Sequence, residues 1–432
     1  MKFLYSDTQD YVDPGYDFVN DRNAPGRKRY WDDQYAHELL GRAPYDGLLV
    51  AMSGVRKKVG VANSKTRYSL AEAHRFLRSG ARKFLRFDAP DLQPLMLMGD
   101  CGAFAYADQP EPAYSVDEVY EFYEDGGFTH GCSPDHVIFD FDPANPPESS
   151  VSPAVAKRYA ITLSNAEKFL AACAQQKAPF VALGAVQGWS PESMAAAAHR
   201  LERIGYRYLA IGGLVPLRPE AIHLCLKAIR SRIDAGTSLH LLGFAKAEQI
   251  DQFLDYGIAS FDSTSPLIRA FKDARANYYL ESPVGGLEYY AAIRVPQAVE
   301  NARLMRAIKS GTASAEDLLY REAKTLAAVR GYAEGKGSAD SVADQVVDYQ
   351  RCLSLAEQPA AQSKIDRDIE KSREQTFRTL RDRPWDRCAC AICSKIGIEV
   401  LLFRGSNRNK RRGMHNLAVY HRHLQRITGQ LH

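Results

Sequence analysis

FVALGAVQGWSPESMAAAAHRLERIGYRYLAIGGL, residues 180–214, decides the fold. It opens on an apolar run, FVALGAVQG (180–188), without the polar alternation of a strand that has one wet face. Such a run fits a strand covered on both sides. It closes on a second run of the same kind, YLAIGGL (208–214), and the stretch 190–205 between them has a helical pattern. Strand, helix and strand, with both strands apolar, is the repeating unit of a parallel sheet.

The same alternation continues in both directions. Upstream lie GLLVAM (47–52), KFLRF (83–87), PLMLMGD (94–100) and HVIFDFD (136–142); downstream lie LHLLGF (239–244) and IASFDST (258–264). Helix-like stretches at 153–177, 219–234 and 246–256 separate several of them. Eight candidate strands in this order predict an α/β fold, a TIM (β/α)8 barrel, in which KFLRF is the weakest strand. Asp100, Asp140, Gln187, Gly212, Gly213 and Asp262 then fall at or just past strand C-termini. In a barrel those ends share the face where active sites form. A single Asp after a strand is as readily a helix cap, but three with a glutamine and a Gly-Gly turn point to a site.

The last fifty residues carry different chemistry. Cys388, Cys390 and Cys393 form a C-x-C-x2-C cluster, and His415 follows Cys393 by 22 positions. Three thiolates and an imidazole are the ligand set of a tetrahedral zinc, and four protein ligands leave no open position, so the expected metal is structural zinc. The other five cysteines show no framework spacing, which fits a reducing cytoplasm. No apolar run approaches the roughly 18 residues of a membrane helix, and the first residues lack a signal-peptide core. Residues 376–432 carry 12 Lys/Arg against 3 Asp/Glu, a net +9, while the rest of the chain is net −5. Arg408, Lys410, Arg411 and Arg412 lie between the ligands. A charge run is ordinarily solvated surface; fixed on a metal-stapled loop, it is a candidate for nucleic-acid phosphates.

Several short motifs stand in one order: Gly99-Asp100-Cys101-Gly102-Ala103-Phe104, Phe139-Asp140, Val186-Gln187-Gly188, Ile211-Gly212-Gly213-Leu214, Ser260-Phe261-Asp262-Ser263 and the cysteine set. In this order the chain resembles the guanine transglycosylase superfamily, whose best known members exchange guanine in transfer RNA for a 7-deazaguanine base. The resemblance covers roughly residues 45–265 and 385–427. It implies that Asp262 is the nucleophile toward the sugar C1′ and that Asp100 is the general acid/base for the departing and incoming bases. It implies that Asp140 accepts from the guanine edge, with Asp142 as a rival. Gln187, Gly212 and Gly213 would line the carbonyl side of the purine, Phe104 would stack on its face, and Leu242 would be the opposite wall.

Two departures bear on the polymer. Between Asp262 and Cys388 lie 126 positions, much of them helical in pattern, and the nucleophile is followed by Ser263-Thr264-Ser265-Pro266 where the transfer-RNA enzymes carry a basic sequence. MKFLYSDTQDYVDPGYDF, the segment from Trp31 to Glu38, and Tyr114 to Val119 resemble the DpdA branch, whose members insert 7-deazaguanine bases into DNA and are typically associated with a partner ATPase. Within these segments His37 and Glu38 read as a solvated helix face, while Asp7, Asp10 and Tyr11 fit either a turn or the substrate face. The expected protein is a DNA-guanine transglycosylase acting on an extruded or unpaired guanosine with a preQ0-like base. A transfer-RNA enzyme, a non-catalytic zinc-containing nucleic-acid-binding subunit and a sugar glycosidase are the alternatives. The expected layout is a barrel over 1–275, a helical insertion over 276–375 and a basic zinc subdomain with a terminal helix, packed on the barrel, over 376–432.

Overall fold

The computed structural model describes residues 1–56, 58, 68–273, 275–299, 302–357 and 362–430. Parts of the expected segment 276–375, at 300–301 and 358–361, and the last two residues lie outside the described residues.

Eight parallel strands close in chain order: Lys2–Ser6 (β1), Gly47–Ala51 (β2), Met96–Asp100 (β3), His130–Cys132 (β4), Val181–Val186 (β5), Tyr208–Ile211 (β6), Ser238–Leu241 (β7) and Ile258–Ser263 (β8). Strand β1 pairs with β2 on one side and β8 on the other, so the sheet has no edge. Leu4, Leu49, Met96, Met98, Cys132, Leu183 and Ala210 form one buried cluster contributed by strands around the barrel. The barrel is therefore a filled core.

Six of the eight expected runs contain a strand, and two do not. In KFLRF, the segment Ala81–Phe84 is a single helical turn that buries Phe84, Leu85 and Phe87 together. HVIFDFD has no ladder; the fourth strand is the three-residue β4 just upstream, and HVIFDFD runs on from it as irregular chain with Val137 and Ile138 buried. The missing strands are β1, in the first residues, and β4.

The helices between strands begin where the sequence provides caps. Ser152 accepts from the Val155 N–H at 3.3 Å and Ser190 from the Ser193 N–H at 3.1 Å, and each is followed by a proline at the first helical position of Pro153–Gln176 and Pro191–Ile204. Proline there loses no hydrogen bond, since the first N–H groups of a helix have no partner within it.

Contacts gather the chain into two units, one of residues 1–9 and 45–265, the other of residues 10–44 and 266–432. The helical segment and the cysteine-bearing tail thus fall in the same unit. That second unit holds the helices Ala315–Ala333, Ala339–Glu357 and Gln362–Asp382, a two-stranded antiparallel sheet of Tyr278–Glu281 with Leu287–Tyr290, and the terminal helix Gly405–Ile427. Its core includes Tyr278, Ile293, Val329, Val346, Leu401 and Met414, all nearly inaccessible.

Candidate active site

Asp262 lies near the C-terminal end of β8, buried, with hydrogen-bond donors on both oxygens. The Gly243 N–H donates to Oδ1 at 2.7 Å, His240 Nε2 stands 3.2 Å from the same oxygen, and Ser6 Oγ donates to Oδ2 at 2.5 Å. The three partners come from the chain after β7, from β7 and from β1. Barrel closure is what brings Ser6 to a residue 256 positions away.

Asp100 ends β3. Its Oδ2 accepts from the Gly102 N–H at 3.0 Å. Gly102 has φ +79°, and a Cβ there would meet Ser53 Oγ at 1.9 Å, so glycine is required for the turn that follows the carboxylate. Burial pushes the Asp100 carboxyl up to about 7, and the neighbouring charges of Asp135 and then Asp262 push the same way. Ligand atoms of Asp100, Cys101 and Asp135 lie within 4.8 Å of one another. Burial likewise raises Asp135, against hydrogen bonds that pull it down: the Cys101 thiol donates to its Oδ1 at 3.2 Å and Gln187 Nε2 to its Oδ2 at 2.6 Å.

Gln187 is fixed at its other end as well, with Oε1 accepting from the Ile138 N–H at 3.3 Å. Its amide lies over Gly212, where a Cβ would meet Nε2 at 2.2 Å. One hydrogen of the amide and one lone pair of its oxygen remain for a ligand. Gly213, with φ +73°, turns the chain after β6. Leu242 is partly buried against the barrel cluster. The Phe104 and Phe139 rings, both exposed, stand 5.5 Å apart and tilted by 52°.

In the second unit, Sγ of Cys388, Cys390 and Cys393 lie 3.6, 3.4 and 3.4 Å from His415 Nδ1. Metal bonds of about 2.3 Å to sulfur and about 2.0 Å to nitrogen set tetrahedral edges of roughly 3.5 Å, so the four atoms are spaced to share one ion. His415 Nε2 is 2.7 Å from the Tyr279 carbonyl, which fixes Nδ1 as the ligand nitrogen. The Tyr278 ring stacks on the imidazole at 4.1 Å. These residues could hold a metal.

With this geometry in hand, the chain is 38% identical over 428 residues to a DNA-guanine transglycosylase of Salmonella montevideo, an alignment spanning 98% of this chain and 97% of that protein. It belongs to the guanine transglycosylase family, in its DpdA-like branch. No family model matches the sequence. The family's motif residues Asp100, Gln187, Gly212, Gly213 and Asp262 all belong to the barrel unit, and its cysteines and histidine converge as expected.

Asp140 is not among the buried carboxylates, and the solvated readings of the basic cluster and of His37 fail. Asp140 is exposed, and so is its rival Asp142, whose Oδ1 accepts from the Ala144 N–H in a turn. The buried carboxylate against Gln187 is Asp135, which sequence reading missed because it lies outside any periodic strand. The basic cluster is not a solvated patch either. Arg408, Arg411 and Arg412 are at most 1% exposed, and Lys410 is partly buried over the Tyr11 ring. Arg408 pairs with Asp21 and Glu399, Arg411 donates to Asn407 and to the Asp13 carbonyl, and Arg412 donates to carbonyls of Val400, Leu402 and Ala270. Arg408, Lys410 and Arg411 tie the terminal helix to residues 10–44, and Arg412 ties it to the chain at 270 and 400–402. His37, expected on a solvated face, is 4% exposed and stacks on Tyr35 at 5.6 Å. The network from Asp262 to His240, Ser260 and Tyr208 was also missed. Its signal was a histidine inside an apolar strand, beside Ser260 and Asp262 at the i, i+2 spacing of one strand face.

Proposed function

We propose that this protein exchanges guanine in DNA for a 7-deazaguanine base such as preQ0, through a covalent intermediate on Asp262. The observation that carries the reading is a pair of carboxyls in contrasting environments. Asp262 accepts hydrogen bonds on both oxygens, while burial raises Asp100 to about 7, so that it can carry a proton near neutrality. A carboxylate acceptor together with a carboxyl that can carry a proton is the pair that displacement at a glycosidic carbon requires.

In the first half-reaction an Asp262 oxygen bonds to C1′ as the bond from C1′ to the guanine nitrogen breaks, and the Asp100 proton goes to the departing base. In the second, Asp100 takes a proton from the incoming base, whose nitrogen bonds to C1′ and releases the Asp262 carboxylate. Asp135, in place of Asp140, is the carboxylate toward the guanine edge, held by Gln187. Phe104, with Phe139 beside it, offers a stacking surface. A stacked guanosine cannot bring C1′ to carboxylates inside a barrel mouth, so the nucleotide is extruded or unpaired, at a cost of a few kcal/mol that purine contacts offset. The DNA-guanine transglycosylase relative supports DNA as the polymer and base exchange as the reaction.

Zinc is the metal that three thiolates and an imidazole fit, and it is structural because the protein fills the tetrahedron. Three thiolates kept reduced for a metal suit a reducing cytoplasm. Metal analysis of purified protein is expected to give one zinc per chain; a metal-free chain of unchanged stability would remove this part of the reading.

The deciding experiment incubates the protein with labelled preQ0 and, separately, duplex DNA, single-stranded DNA and transfer RNA, with and without host lysate to supply a partner ATPase. Label is expected in DNA, and Asp262→Ala is expected to lower it by about 10,000-fold or more, the scale for loss of a nucleophile. Label in transfer RNA alone, or unchanged exchange by the Ala variant, would overturn the proposal.

A further inference from the structure

Asp262 heads a chain of hydrogen bonds that runs along the inner face of three strands. His240 Nε2 is 3.2 Å from Asp262 Oδ1, His240 Nδ1 is 2.6 Å from Ser260 Oγ, and Ser260 Oγ is 2.6 Å from the Tyr208 hydroxyl. His240 and Ser260 are fully buried, so each must find its partners inside the protein. The hydrogens can be placed by elimination. If Ser260 donated to Tyr208, Nδ1 would carry the imidazole proton and Nε2 would turn a lone pair on the Asp262 carboxylate. With Asp262 ionised, that arrangement is repulsive. The neutral imidazole consistent with these contacts has Tyr208 donating to Ser260, Ser260 donating to Nδ1, and Nε2–H donating to Oδ1; an imidazolium would present the same Nε2–H to Oδ1.

The two oxygens of Asp262 are then inequivalent. Oδ1 receives both the Gly243 N–H and His240 Nε2–H, which occupy its two in-plane lone pairs. Among the described residues Oδ2 receives Ser6 alone and keeps one. Only an oxygen with a free lone pair can form a bond to carbon.

Resting on the nucleophile role given to Asp262 above, we propose that His240 is a positioning residue that reserves Oδ1 as the non-attacking oxygen, so that Oδ2 forms and later breaks the bond to C1′, with Ser260 and Tyr208 fixing the His240 tautomer. When the C1′–Oδ2 bond breaks, its electron pair returns to the carboxylate, and the donors on Oδ1 stabilise that charge. They act where charge develops in the second half-reaction. Without His240 the carboxylate is more basic, a poorer leaving group, and the glycosyl ester accumulates.

The titratable groups facing Asp262 are Asp100 of β3, Cys132 of β4 and His240 of β7; those facing His240 are Asp262 and His130 of β4. Loss of the Nε2–H donor removes a partner of the ionised form, so the acid limb of the rate profile moves to higher pH.

The test measures the fraction of protein trapped by denaturation as a covalent adduct with guanine-containing oligonucleotide during steady-state exchange, together with turnover against pH. For His240→Phe, turnover is expected to fall on the order of 100-fold, as for loss of one donor to a developing charge. The trapped fraction is expected to rise severalfold, and the acid limb to shift upward. His240→Gln, which keeps a donor near Nε2, should recover most of both. Ser260→Ala, measured in parallel, should show a smaller change of the same kind and keeps the test decisive if the Phe variant does not fold. Turnover that falls equally in the Phe and Gln variants, with an unmoved adduct fraction and pH profile, would mean a merely structural histidine. An absence of adduct in the unaltered protein would instead overturn the Asp262 reading, and this proposal with it.

Discussion

Each unit of this protein buries a group of charges, and the two groups are built on opposite plans. In the second unit Arg330, Glu399, Arg408, Asp21, Arg404 and Glu322 alternate in sign along one connected series of ion pairs, three cations to three carboxylates. In the barrel, Asp100, Asp135 and Asp262 gather with no arginine or lysine paired to them among the described residues, and burial raises the first two. A balanced buried network answers its own charges and holds a fold. An unbalanced one keeps protons it would lose in water, and that is the property proton-transfer chemistry requires. Sign balance, more than burial or the number of charges, separates the structural cluster from the one proposed to do chemistry.

The largest effect expected from this contrast is on stability. Arg408→Met leaves Asp21 and Glu399 each short of one buried partner. Breaking a buried pair from one side costs about 3–5 kcal/mol, and the low end applies because Arg404 and Arg330 remain. Urea unfolding should show this loss, while the folded fraction binds DNA with unchanged salt dependence. An unchanged unfolding midpoint with a shallower salt slope would return Arg408 to the role of phosphate contact first read from its sequence.

A smaller effect, opposite in sign, is expected at Asp100. Its folded value of about 7 exceeds the unfolded 3.8, so the folded state holds the proton more tightly. Stability is then greatest at low pH from this group, falls as pH rises between those values and is flat above the higher one. Asp100→Asn, which cannot ionise, escapes that loss. At pH 8 it should be more stable than the unaltered protein by about 1–2 kcal/mol, a figure reduced from the full shift because the side chain is partly exposed. Adduct formation by the unaltered protein should decline as pH rises through about 7. A less stable Asn variant at pH 8 would show that Asp100 is held as a structural anion, like Asp21.

The same contrast explains what the sequence could tell. The barrel was legible because its long apolar strands carry their own signal, and Asp100, Gln187 and Asp262 were legible because they end such strands. Strand β4 was not: three residues, His130 to Cys132, are too short for any period, and the apolar HVIFDFD nearby drew the assignment instead. Asp135 was illegible for the same reason, since it follows β4 without a pattern of its own. KFLRF failed because a run of buried aromatics serves a helical turn as well as a strand. The arginines failed for a different reason. Composition counts charges within a segment, whereas the partners of Arg408 are Asp21, 387 positions away, and Glu399. Long-range pairing has no local signature.

The smallest expected effect isolates burial as the remaining variable. Arg373 bridges two carboxylates, Asp340 and Asp344, as Arg408 bridges Asp21 and Glu399. The number of partners is equal, but the Arg373 side chain is 37% exposed and that of Arg408 is inaccessible. Water and salt replace the lost partner at an exposed site, and the flexible side chain regains its freedom. Arg373→Met should therefore leave the urea midpoint within the scatter of repeat measurements, in low salt and high salt alike. A loss comparable to that of Arg408→Met would mean that pairing itself, wherever it occurs, holds this unit together. The contrast with the barrel carboxylates would then rest on the presence of a cationic partner and not on burial.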